Sequence, residues 1–295
     1  MKPAPFAYHD PRTLDDLIGL AGRLENAKLL AGGQSLVSML NMRFVIPDHV
    51  IDLNRVASLA GIADKGDAIE IGAMTRQRAL ERDPVIASKA PVVLEALRQV
   101  GHLQTRSRGT FGGSLCHLDP SAELCAVARL YDATLHVAGS RGRRDIAMAD
   151  WSLGFMTPAL EPDEVLTGIT LPVWREPHGH AFVELARRHG DFAIAGVGCL
   201  VALDGKGAIA RAAISIAGIA TAPVRLSEAE AALKGQPATP DTFKAAAAHA
   251  TKLDCLADAH VSAAYRQRLA GVLTERALAT AAARAKGAAQ GSTHA

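Results

Sequence analysis

The stretch Leu29-Leu30-Ala31-Gly32-Gly33-Gln34-Ser35-Leu36 runs from a short apolar segment into paired glycines and a hydroxyl, and Arg108-Gly109-Thr110-Phe111-Gly112-Gly113-Ser114-Leu115 repeats the arrangement. Glycine has no Cβ, so backbone there can approach a ligand closely and adopt left-handed conformations. Successive backbone N–H groups in such a turn can converge on phosphate oxygens, with the hydroxyls of Ser35, Thr110 and Ser114 as further donors. Two cradles suit the diphosphate bridge of a dinucleotide better than a single phosphate. Neither is followed by the Gly-Lys-Ser/Thr of a Walker A loop, and neither spells Gly-x-Gly-x-x-Gly between a strand and a helix. Gly196-Val197-Gly198 comes closer by spelling, but Val201 stands where the third glycine belongs. The composition also suits a plainer reading, in which both segments are ordinary turns.

Outward from these turns, short strands alternate with helices. Thr13 opens a helix with Asp16 three residues on as a capping box, and Leu14, Leu17, Ile18, Ala21 and Leu24 form its apolar stripe. Residues 28–31 read as a strand entering the first turn, and 49–53 as another. Residues 68–73 alternate after the turn residues Asp64-Lys65-Gly66-Asp67, a hairpin signal. A helix is expected over 84–100. Asp119-Pro120 fits the cap and first position of a second helix reaching Tyr131. Strands return at 134–138 and 164–171, giving an α+β or mixed α/β pattern. Residues 172–179 read as a boundary. Beyond it, 194–203 and 208–219 form a long antiparallel hairpin around Asp204-Gly205-Lys206-Gly207, and helices fill 226–233, 241–253 and 261–284. The small, polar segment 286–295 is expected to fray.

Composition narrows the class. With 295 residues the chain suits about two domains. Hydrophobic residues at 49% supply real cores, which excludes disorder as the main state. A net charge of +2 and 4% aromatics give neither a basic face nor stacking platforms for nucleic acid. Cys116, Cys125, Cys199 and Cys255 stand singly, so no iron–sulfur or structural zinc motif is signalled and a reducing compartment is expected. The first residues lack the apolar stretch of a signal peptide, and the longest uncharged apolar run, 192–203, is too short to span a bilayer. A cytoplasmic location is the expectation.

The spelling Ala31-Gly32-Gly33-Gln34-Ser35, followed by Met42-Arg43 and Pro47, resembles the FAD-binding medium subunit of molybdenum hydroxylases, the family of the carbon monoxide dehydrogenase medium chain and the flavin part of xanthine dehydrogenase. So does Arg108 through Leu115 continued as Cys116-His117-Leu118-Asp119-Pro120-Ser121-Ala122-Glu123. Glu161-Pro162-Asp163-Glu164-Val165-Leu166, Arg187-Arg188-His189-Gly190-Asp191-Phe192-Ala193, Ala264-Tyr265-Arg266 and Arg276-Ala277-Leu278 also look familial. These motifs stand in the family's order over nearly the whole chain.

The resemblance implies an α+β chain. A vanillyl-alcohol-oxidase (PCMH-type) FAD-binding domain over 1–175 divides into subdomains of about 1–56 and 57–175. A small antiparallel sheet with a helical bundle follows over 178–285, and 286–295 is a disordered tail. It implies non-covalent FAD, with Ala31, Gly32, Gly33, Gln34, Ser35 and Leu36 around the diphosphate, and Leu29, Leu30 and Gly101 also cofactor-binding. Thr110, Gly112, Gly113 and Ser114 form a second wall, Glu123 lies near the adenosine portion, Leu166 approaches the flavin, and Phe192 sits beside the ring and controls access to it. Gln34 replaces a histidine of some members, Phe111 an isoleucine, Ser114 a frequent asparagine and Glu184 a common lysine, while Phe192 lacks a tyrosine hydroxyl. The cysteine-bearing loop of the hydroxybenzoyl-CoA reductase branch is absent.

In the role so implied, substrate is oxidised at molybdopterin on a large partner subunit, and electrons reach FAD through [2Fe-2S] clusters of a small partner and pass to an external acceptor, in a dimer of heterotrimers. No general base, nucleophile or metal ligand set is expected on this chain. Plainer readings stand beside these. Glu123 also suits the positive end of a helix, His117 and Asp119 suit turn and cap roles, His178 with His180 a solvated boundary pair, Phe192 a core aromatic, and Arg187-Arg188 a surface pair. Two other functions compete: a self-contained flavin oxidoreductase of the same fold, and a scaffold that has lost the flavin.

Overall fold

A computed structural model describes residues 1–291 of the chain. Its first part holds β1 (Ala7–His9), α1 (Leu14–Ala21), β2 (Ala27–Leu30), α2 (Leu36–Asn41) and β3 (His49–Asp52), with the strands parallel in the order β1-β3-β2. Thr13 caps α1 as its sequence suggests: its hydroxyl oxygen accepts from Asp16 N at 3.1 Å. Leu17 on α1 and Ile51 on the central strand are fully buried together with Val165 and Met74 of the next part, so this small sheet closes its core only against its neighbour.

The second part continues with β4 (Ile62–Asp64), β5 (Ala68–Gly72), α3 (Gln77–Leu80), α4 (Pro84–Lys89), α5 (Val92–Gln99), α6 (Leu103–Arg108), α7 (Phe111–His117) and α8 (Glu123–Leu130). It is completed by β6 (Thr134–Gly139), β7 (Gly142–Ala147), the small hairpin β8 (Ser152–Gly154) and β9 (Thr157–Pro158), and β10 (Val165–Pro172). Its antiparallel sheet runs β4-β5-β10-β6-β7. The core includes Phe111, Leu115, Leu135, Ile169 and Trp151, whose indole N–H donates to Leu115 O at 2.8 Å. The third part is a four-stranded antiparallel sheet of β11 (His178–Ala186), β12 (Ala193–Leu203), β13 (Ile209–Ala217) and β14 (Val224–Arg225), with α9 (Ser227–Leu233), α10 (Pro240–Ala250) and α11 (Ala263–Gly291).

Several expectations are corrected. The helix expected over 84–100 is two helices, because Pro91 has no N–H to donate and disfavours helical backbone at Ala90 before it. Asp119-Pro120 does not open α8. The Asp119 carboxylate accepts from Ser121 N at 2.8 Å in a turn, and the helix begins at Glu123 with Ala122 as its cap. The second glycine pair is not a turn but the first residues of α7, capped by Thr110, whose hydroxyl accepts from Gly113 N at 3.0 Å. The strands β7, β8, β9 and β11 fall in segments too polar or too mixed to read as strands. The last helix runs past the expected 284 through the alanines of 285–289 to Gly291, so 286–291 are helical rather than frayed. The rest of the expected tail, 292–295, lies outside the described residues.

The second and third parts are tied at Glu95 of α5. Its carboxylate accepts from Phe182 N at 2.8 Å and from the Arg284 guanidinium at 2.6 Å, with the His180 ring 3.6 Å away. Burial opposes ionisation, but the bonds from His180, Phe182 N and Arg284 outweigh it and hold this carboxyl at about 2. The depressed value means that the stabilisation is complete above the ordinary 4.5 and is lost as pH falls through about 2. Glu95→Ala is expected to cost about 1–3 kcal/mol in denaturant unfolding at neutral pH, with the gap to wild type closing as acid is added below 4.5. A gap independent of pH contradicts the assignment.

Candidate functional site

A cavity of about 700 Å³ opens where the three parts meet. The first part contributes the β2–α2 loop, the second Gly101, the α7 start, Glu123 and Leu166, and the third the segment Gly190-Asp191-Phe192. All the site residues expected from the sequence line this one cavity except Leu30. Leu30 instead packs beneath Gly33, where a Cβ would stand 3.4 Å from Leu30 Cδ1.

The two glycine segments play different parts. Among the described residues, no acceptor meets the backbone N–H groups from Gly32 to Leu36. Val37 N is the first to turn inward, donating to Gly33 O at 3.2 Å. In the second segment every N–H from Phe111 to Ser114 is already used. Phe111 N donates to Thr75 O, Gly112 N to Ala73 O at 2.8 Å, Gly113 N to the Thr110 hydroxyl, and Ser114 N to Thr110 O. The expectation of two equivalent N–H cradles is therefore corrected: one segment offers donors, and the other is a wall.

The missing Cβ atoms serve packing more than ligand approach. A Cβ on Gly32 would lie 2.3 Å from Arg108 O, and one on Gly112 2.6 Å from the Ala73 Cβ. The two segments thus lie backbone against backbone, a distance no side chain permits. Gly33 carries the left-handed turn, at φ +75°.

Several lining residues carry no signal in the sequence. Gln77, at the start of α3, is buried; its amide nitrogen donates to the Ser114 hydroxyl at 3.3 Å while its amide oxygen has no partner. That oxygen is closed off against Gly109, where a Cβ would stand 2.8 Å from it. Leu166 reaches the lining at an irregularity in the β10–β6 register between Leu166 and Gly168. Phe192 stands at the mouth with 72% of its surface exposed, not in a core.

The lining combines Lys28 and the free N–H run with carboxyls at Asp119, Asp191 and Glu123. Burial, with the nearby Glu184 charge adding to it, pushes Glu123 up to about 8, so at neutral pH it is uncharged. This disfavours the helix-end charge role for Glu123 and removes a repulsive charge from the cavity. Glu184 on β11, pushed up to about 7 by burial, has one carboxyl oxygen buried without a partner. Burial pushes the Cys116 thiol in the lining up to about 12, so it supplies no thiolate nucleophile, and it lowers His117. No cluster of three or more metal-ligating side chains occurs among the described residues, and no described helix is long and apolar enough to cross a membrane.

Comparison with known proteins fits this geometry. Residues 4–174 match the FAD binding domain in molybdopterin dehydrogenase, and 180–281 match the CO dehydrogenase flavoprotein C-terminal domain. The chain is 37% identical to the 6-hydroxypseudooxynicotine dehydrogenase complex subunit alpha of Paenarthrobacter nicotinovorans, covering 97% of each. It is 35% identical to the carbon monoxide dehydrogenase medium chain of Afipia carboxidovorans, covering 97% of this chain and all of that one. Its fold superposes on a chain of the carbon monoxide dehydrogenase of Hydrogenophaga pseudoflava with a TM-score of 0.93 at 35% identity, covering 96% of this chain and 99% of that one. Quinoline 2-oxidoreductase from Pseudomonas putida 86 gives 0.92 at 32% identity, covering 97% and 99%.

The raised carboxyls make a pH test. Because folding raises Glu123 and Glu184, their contribution to stability is complete below 4.5 and is lost as pH rises through about 7 to about 8. Glu184→Gln removes one of these ionisations. Its denaturation midpoint is expected to fall less than that of wild type over the same interval, and parallel pH profiles contradict the pairing.

Proposed function

The chain belongs to the family of FAD-binding medium subunits of molybdenum hydroxylases, and from that premise we propose that it is the electron-transfer subunit of a heterotrimeric complex. In this reading a large partner carries molybdopterin and oxidises the substrate. A small partner carries [2Fe-2S] clusters that deliver electrons to this chain, which passes them to an external acceptor. The trimers pair into a dimer. Bound FAD supplies the reversible uptake and release of electrons.

The chain's own residues hold and shield that group. The N–H groups of Gly32 to Leu36 bind the diphosphate, with the Ser35 hydroxyl beside them. Thr110, Gly112, Gly113 and Ser114 form the opposite wall, in which the Gln77 amide nitrogen holds the Ser114 hydroxyl. Neutral Glu123 lies by the adenosine portion and Gly101 bends the chain around it. Leu29 and Leu166 shape the apolar wall toward the flavin, and Phe192 covers its open edge. The flavin-binding part runs over 1–175, in subdomains 1–56 and 57–175, and the C-terminal part over 178–285.

The observation that carries the reading is the run of N–H groups without acceptors, Gly32 to Leu36, at the wall of the one cavity that gathers the expected residues. The matching relatives support a subunit role, since those named as a medium chain or a complex subunit are covered over 97–100% of their length. The chain purified alone is expected to bind FAD with a flavin spectrum and to oxidise no small substrate. A colourless, folded chain that takes up no added FAD contradicts the reading, and substrate turnover by the chain alone favours the self-contained oxidoreductase. Gly33→Val, which forces a side chain into a left-handed turn with Val37 Cγ2 already 3.1 Å from the new Cβ, is expected to weaken FAD binding about tenfold or more, about 1.4 kcal/mol. Wild-type affinity in this variant removes the first turn from the site.

A further inference from the structure

We infer that Arg76 is a positioning residue for the cofactor diphosphate: through Asn54 it locks the Ala31–Gly32 peptide against the second glycine segment. This rests on the proposed FAD reading of the cavity. Arg76 does not line the cavity itself; it lies behind the wall, beside a second, smaller hollow. Its guanidinium donates with one terminal nitrogen to Arg108 O and with the other to Asn54 Oδ1 at 2.5 Å. Asn54 in turn donates from Nδ2 to Ala31 O at 3.0 Å.

Both ends of that bridge touch the site. Ala31 O and Gly32 N–H belong to one planar trans peptide, so they point in opposite directions. Holding the oxygen therefore fixes the aim of the first free N–H in the run. Arg108 O is the atom that the missing Cβ of Gly32 leaves room for, at 2.3 Å from where that Cβ would be. Fixing it sets how closely the two segments approach.

Arg76 makes no ion pair among the described residues; its charge is committed to two neutral oxygens, Arg108 O at the end of α6 and Asn54 Oδ1 after β3. A planar fork spans two such acceptors at fixed separation, which a lysine ammonium does not. The link is extended outward: Asp52 accepts from Asn54 N at 2.9 Å and from the Tyr8 hydroxyl at 2.6 Å. The backbone of Arg76 bridges Thr110, and Gln77 N donates to Gly109 O at 2.9 Å, so the anchor is seated beside the second segment.

The test is FAD titration of the purified chain in wild type, Arg76→Lys, Arg76→Met, Asn54→Ala and the double variant N54A/R76M, with the melting temperature of each apo chain. R76K, R76M and N54A are each expected to weaken FAD about tenfold, with the double variant within about twofold of R76M because the bonds act in series. Apo melting temperatures are not expected to follow the affinities. Wild-type affinity in R76K or in N54A overturns the inference. So do additive losses in the double variant, or melting temperatures that fall in step with affinity. A wild-type chain that binds no FAD instead contradicts the reading of the cavity.

Discussion

A backbone N–H with no acceptor in its own chain has to be met by water or by a ligand, and the run from Gly32 to Leu36 is built so that its donors stay unmet. The chain reaches this state by crowding. Gly32 lies against Arg108 O, and Gly112 lies against Ala73, at separations that a single Cβ would prevent. Crowding fixes the loop without using its donors, while the second segment spends all of its own on Thr75, Ala73 and Thr110. One glycine pair therefore keeps its donors free, and the other is the abutment packed against it.

The rest of the architecture serves this junction. No one part of the fold encloses the cavity; it exists only where the parallel sheet, the antiparallel sheet and the Gly190–Phe192 segment of the third part come together. The Glu95 bonds to Phe182 and Arg284 join the last two of these parts. The acidic side chains at the junction would oppose a diphosphate if all were charged. Burial keeps Glu123 neutral at ordinary pH, which removes one of the three lining carboxyls and leaves Asp119 and Asp191 beside Lys28 and the amide donors. The exposed Phe192 gives the mouth of the cavity an apolar edge.

Much of this is legible in the sequence, and the reasons for what is not are physical. The first glycine turn, the cap at Thr13, the hairpin over 193–217 and the helix at 227–233 follow from local rules, because glycine, a cap hydroxyl and period-two alternation act within a few residues. The second glycine segment misleads, since its glycines look like a turn but sit inside α7, where Gly112 packs against Ala73 from a distant part of the chain. Arg76, Asn54 and Gln77 leave no pattern, because their roles arise from atoms brought together by the tertiary fold. The charge state of Glu123 depends likewise on Glu184 from another sheet. The break at Pro91 was readable from proline alone, and the continuous apolar stripe on either side conceals it.

Amide hydrogen exchange on the chain before and after FAD is added tests the central claim most directly. The account predicts that the amides of Gly32 to Leu36 exchange freely in the apo chain and become protected on binding, while those of Phe111 to Ser114 are protected in both. Protection that appears at the second segment and leaves the first unchanged contradicts it.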